Sequence, residues 1–132
     1  MRRWQLIHEL ALGTLIATVV IGCGRPAPKT ETFPVVGKVL LPNGEPLAGG
    51  AIEFHCQEGA RLNAFGEIAA DGTFSLNTVV EGTRVAGAVA GEHRVTIVPP
   101  MDESQSAVPI LLRDTYPVTR GQNDLSIVVE GP

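Results

Sequence analysis

Two histidines and a cysteine are the residues best suited to chemistry in this chain. His55 and Cys56 are adjacent, and His93 stands further along. Imidazole and thiolate are zinc ligands, and as a pair they can serve as base and nucleophile. Neighbouring residues of a strand leave opposite faces, so His55 and Cys56 do not share one ligand set. Cys56 and His93 have the same core-facing parity and can meet. The reading is a buried thiol beside a hydrogen-bonded histidine, with a soft-metal or redox pair as the alternative. Ser75, Ser104, Ser106 and Ser126 are the serines, and none sits in a Gly-x-Ser-x-Gly elbow. Asp102-Glu103 pairs two carboxylates on a polar loop, where solvation is the expected fate. The one tryptophan is Trp4 and the one tyrosine is Tyr116. Tyr116 is therefore the candidate for stacking on a ligand. No catalytic residue, metal or cofactor is expected.

A second thiol, Cys23, has a different setting. Arg2 and Arg3 precede an apolar run over residues 10–21 (LALGTLIATVVI), which ends at Gly22-Cys23-Gly24. A basic start, a short apolar stretch and small residues at the cut describe a secretory signal. His8 and Glu9 limit the run to fewer residues than the roughly 20 a spanning helix needs. Val20-Ile21-Gly22-Cys23 resembles the lipobox of bacterial lipoproteins. That resemblance implies cleavage between Gly22 and Cys23, with lipid attached to Cys23. Acyl chains on one residue would hold the protein at a bilayer, since each buried methylene contributes about 0.8 kcal/mol. Lipid on Cys23 leaves Cys56 without a disulfide partner, so Cys56 is expected to be a free, buried thiol.

Removing Arg2, Arg3 and Glu9 turns ten basic and fourteen acidic residues into eight and thirteen, a net charge of −5. Scattered basic residues on an acidic surface argue against a nucleic-acid partner. Residues 25–34 read RPAPKTETFP, an extended tether with three prolines. Beyond it, short alternating runs are separated by Gly, Asn and Asp, and no helical period of useful length is present. Strands are expected over residues 35–41, 51–56, 65–70, 73–78, 94–98 and 124–130, with a short strand or edge over 109–115. Turns are expected at Pro42-Asn43-Gly44, Asp71-Gly72 and Gly121-Gln122-Asn123. Pro99-Pro100 should stop one strand. The stretch 82–91, which holds three glycines, and residues 101–108 read as loops. Six or seven short strands punctuated this way predict an all-β sandwich.

The order of these signals resembles the carboxypeptidase regulatory-like domain, a transthyretin-like sandwich common in exported bacterial lipoproteins. The likeness rests on Val35-Val36-Gly37-Lys38-Val39, on Asn43-Gly44-Glu45-Pro46-Leu47-Ala48-Gly49 as a "G-x-P-L-x-G" turn, and on Ile52-Glu53-Phe54. It continues with Ala70-Asp71-Gly72-Thr73-Phe74 as a "D-G-x-F" hairpin and Gly91-Glu92-His93-Arg94-Val95-Thr96-Ile97 as a "G-x-Y-x-V-x-V" strand. Val108-Pro109 and Gly121-Gln122-Asn123-Asp124-Leu125 look like the closing segments. The resemblance implies a seven-stranded (six to eight) Greek-key β-sandwich after an N-terminal signal helix, and no peptidase activity. The domains expected are a signal peptide over 1–22, a Pro-rich tether over 23–34 and the sandwich over 35–131. The function expected is that of an exported lipoprotein, anchored through acylated Cys23 at the periplasmic or outer-membrane face. Its non-catalytic domain would serve a structural or protein-interaction role, or bind a glycan or peptide.

Overall fold

The computed structural model describes residues 30–59, 61–101 and 108–130. The expected signal region, with Gly22 and Cys23, lies outside the described residues. The described residues form nine strands: β1 (Val35–Leu40), β2 (Ala51–Cys56), β3 (Asn63–Glu67), β4 (Thr73–Ser75), β5 (Asn77–Val80), β6 (Thr83–Ala86), β7 (Gly91–Val98), β8 (Ile110–Val118) and β9 (Asn123–Val128). They form two sheets, one ordered β4-β1-β9 and the other β6-β5-β3-β2-β7-β8. No helix occurs among the described residues, so the all-β reading stands.

Alternation explains why these segments become strands and which face each one buries. In β1, Val35, Gly37 and Val39 point inward while Val36 and Lys38 face solvent; in β2, Ile52, Phe54 and Cys56 point inward. The inner faces of both sheets meet in one core that includes Val39, Phe74 and Ile127 from the smaller sheet. Phe54, Val95 and Ile97 contribute from the larger one. Burying side chains of this size contributes roughly 1.5–3 kcal/mol each. Gly37 is set by this packing. A Cβ there would lie 2.3 Å from the Leu125 carbonyl oxygen and 2.7 Å from the Phe74 ring, so the Phe74 ring occupies the space a side chain would need.

The strand count exceeds the expected seven, for two physical reasons. The expected strand over 73–78 is two strands, because the chain changes sheets at Leu76. β4 pairs with β1 in the smaller sheet, while β5 pairs with β3 in the larger one. The Asp71-Gly72 turn forms, with Gly72 N–H donating to the Ala69 carbonyl, but it carries the chain between sheets rather than closing a hairpin within one. The stretch 82–91 is also not a plain loop. Glu81 and Gly82 both have positive φ, at 49° and 80°. That is the backbone of a two-residue hairpin turn, and it pairs β5 with β6 from Val80↔Thr83 to Asn77↔Ala86.

Other boundaries move modestly. The third strand covers Asn63–Glu67 rather than 65–70, because Ile68 and Ala69 spend their N–H groups on Gly50 and Thr73 at the bend. The expected strand over 94–98 begins earlier, at Gly91. The expected short edge over 109–115 is the nine-residue β8, which bulges so that Leu112, Arg113 and Asp114 stand between the Thr96↔Leu111 and Arg94↔Thr115 pairs.

The first and last strands are parallel neighbours, in register from Val35↔Asn123 to Leu40↔Val128. Asn123 fixes this closure. Its Nδ2 donates to the Pro34 and Thr119 carbonyls, and its Oδ1 accepts from the Thr119 N–H and hydroxyl. Before β1, Phe33 bridges to Ala88, and the Thr32 hydroxyl donates to the Ala86 carbonyl at 2.9 Å. The segment leading into β1 is thereby fastened to one pole of the sandwich. The turn at 42–44 and the bend at 69–72 lie at the opposite pole, where β1 ends and β4 begins.

Candidate functional site

Two places bring chemically competent side chains together. The first is the pole of the larger sheet where β2 ends and β7 begins. Cys56 and His93 are direct cross-strand partners on the inner face, as their parity requires, and both are buried. Cys56 is a free thiol and donates to the Glu58 carbonyl at 3.0 Å. His93 Nδ1 lies 3.0 Å from the Gly91 carbonyl oxygen, which only a protonated Nδ1 can satisfy. That tautomer leaves Nε2 as a bare lone pair, and Nε2 is buried with no partner. The ring packs against Phe54, centroids 5.8 Å apart. Burial pushes the imidazole below its ordinary pKa, against the Gly91 carbonyl and the negative charges of Glu92 and Glu58, so it stays neutral. Both members of the pair thus satisfy backbone carbonyls and face the core. Among the described residues, no group of three or more His, Cys, Asp or Glu could hold a metal.

Tyr116 belongs to the same inner face. It is the cross-strand partner of His93, and its half-buried ring packs on Phe54 with centroids 6.5 Å apart. Burial raises its phenol pKa, aided by Asp114 and Glu130. His55 points to the outer face, as parity requires, and lies 3.3 Å from the Thr96 hydroxyl and 3.8 Å from Glu53 Oε2. Met101 and Val108 are exposed; Asp102, Glu103, Ser104 and Ser106 lie outside the described residues.

The second place was not singled out by residue type, because its members are ordinary surface residues. The outer face of the larger sheet holds an open groove of about 420 Å³, where β4 leaves for the other sheet. Its polar lining includes Glu53, Glu67, Ser75, Asn77 and Arg84, and Phe65 supplies a half-buried aromatic wall. Register explains the convergence. Glu53 is paired with Phe65, Phe65 with Asn77, and Arg84 with Val79 two residues beyond Asn77. The Arg84 guanidinium sits over the Phe65 ring, 5.1 Å from its centroid. Stacking on a ring face orients a guanidinium while leaving its in-plane N–H donors open. Gly66 makes the corner possible, since a Cβ there would lie 2.2 Å from the Ser75 carbonyl oxygen. The alternation of Phe65, outward between inward Ala64 and Gly66, was the available signal for this face.

Among the described residues, no helix is long and apolar enough to cross a membrane. Compared with models of known protein families, with curated proteins and with solved structures, the chain has no match.

Proposed function

We propose that this chain is an exported lipoprotein, held at a bilayer through acylated Cys23, whose Greek-key, transthyretin-like sandwich acts as a non-catalytic binding module at the cell envelope. The supporting observation is the placement of the tether. Thr32 and Phe33 are fastened beside Ala86 and Ala88 at one pole. A chain anchored upstream would therefore present the opposite pole, with the loops at 42–44 and 69–72, away from the membrane. The nine residue steps from Cys23 to Thr32 could span at most about 32 Å when fully extended, which keeps the domain close to the surface. The closed Cys56–His93 pair supports a non-catalytic role, because a nucleophile and base both turned to backbone carbonyls offer nothing to a substrate.

The deciding experiment is the mass of the mature N-terminus together with fractionation of Cys23→Ser. The expected result is an acylated Cys23 as first residue, with the serine variant released to the soluble fraction. An intact, unacylated N-terminus, or unchanged membrane retention of the variant, would overturn the proposal. A second reading, recognition of a small glycan or peptide, is favoured by the groove beside Phe65.

A further inference from the structure

We propose that the Glu53–Phe65–Arg84 groove binds a short zwitterionic peptide, its ammonium group held by Glu53 and Glu67 and its carboxylate by Arg84. This deepens the second reading above and rests on it. The argument is charge complementarity. Arg84 lies on β6, at one side of the groove, and the two carboxylates lie on β2 and β3 at the other. Opposite charges in one small groove would be expected to neutralise each other, yet they do not. Among the described residues, Arg84 and Glu67 form no ion pair or side-chain hydrogen bond, and Glu53 reaches only His55. Phe65 is part of the reason, since it holds the guanidinium over its own ring. The groove thus keeps a separated pair of charges, which a ligand of reversed polarity would satisfy.

The spacing selects the size of that ligand. Adjacent strands lie about 4.8 Å apart, so the groove floor from β6 through β5 to β3 is roughly 10 Å wide. An extended peptide rises about 3.3 Å per residue, which makes about three residues the natural length. Between the charged ends, the Asn77 amide and the Ser75 hydroxyl can donate to and accept from peptide groups. A glycan would leave both carboxylates and the guanidinium without charged partners, and this disfavours it as the occupant.

The test is a titration of the isotope-labelled full chain in detergent micelles, followed by NMR. The probes are triglycine, N-acetyl-triglycine, triglycine amide and, as a neutral comparison, maltotriose. Triglycine should shift the backbone signals of Glu53, Phe65, Glu67, Asn77 and Arg84. Blocking either end should weaken binding about ten-fold, the usual effect of losing one charge-assisted contact. The double variant Glu53→Gln/Glu67→Gln should bind triglycine more weakly while its affinity for N-acetyl-triglycine stays the same. Arg84→Gln should behave in the mirror fashion with triglycine amide. These exposed side chains leave the core intact, so the variants report binding rather than folding. Equal affinity for free and blocked peptides, or no movement of the groove signals, would overturn the assignment. Maltotriose moving those signals in place of triglycine would also overturn it, while leaving a glycan-binding module standing. Acylation of Cys23 is read separately, so the anchor and the groove fail independently.

Discussion

His93 places a neutral imidazole where the fold gives it one partner for two nitrogens. A buried acceptor left unpaired costs about 1–3 kcal/mol, and Nε2 is such an atom. Its lowered pKa has a direct consequence for stability. The unfolded chain takes up a proton near pH 6.5, while the folded chain resists doing so until lower pH. Folding is therefore unpenalised above that value and loses free energy as pH falls below it. Asp71, held below its ordinary range by its hydrogen bonds to the Thr73 hydroxyl and N–H, acts only at more acidic pH. Urea unfolding at pH 7.5 and pH 5 should show this loss, and His93→Phe should flatten it by removing both the orphan lone pair and the titration. A variant with the same pH dependence as the parent would show that His93 is not the responsible group. Strand parity put Cys56 and His93 on one inner face, but their direct pairing needed β2 and β7 to be neighbours, which only the fold supplies. The tautomer was not legible either, because it depends on the Gly91 carbonyl, which only the folded backbone brings to Nδ1.

At the level of elements, alternation in β1, β2 and β9 announced which side chains go inside, and those strands stand within a residue or two of their expected limits. The failures share one cause. Where the chain turns or changes sheets, the deciding interaction is with a distant strand rather than a sequence neighbour. Thr73 to Val80 alternates without interruption, buried at even positions, and nothing local marks the change at Leu76. There the Leu76 N–H bonds to Val35, and the Leu76 carbonyl accepts from Gly87. The β5–β6 turn was hidden for a related reason. Asn-Gly or Asp-Gly would have signalled it, but Glu81 occupies the first place with φ of 49°. A left-handed conformation costs such a residue roughly 1–2 kcal/mol. Glu81→Asn should recover about 1 kcal/mol, which for a domain near 100 residues raises the melting temperature by roughly 4–8 °C. Calorimetry of the pair would settle it, and an unchanged or lower melting temperature would refute the strain argument. The groove was equally opaque, since the face that carries Phe65 gains Arg84 only once β6 exists.

Across the whole molecule, the parallel pairing of β1 with β9 joins the two ends of the domain. The Asn123–Pro34 bond links residues 89 positions apart. Contacts this distant in sequence must wait for almost the entire chain, which places folding in the millisecond-to-second range. Stopped-flow refolding completed in microseconds would contradict that expectation. The same pairing decides how the domain would respond to mechanical load. A pull from the N-terminal side first loads the Thr32 and Phe33 bonds to Ala86 and Ala88, then runs along the axis of β1, which hydrogen-bonds to β4 on one side and β9 on the other. Loaded lengthwise, those bonds share the stress together instead of parting one after another like a zipper. Under the proposed anchoring, a module pulled between bilayer and partner should consequently resist tugging until it gives way in a single rupture.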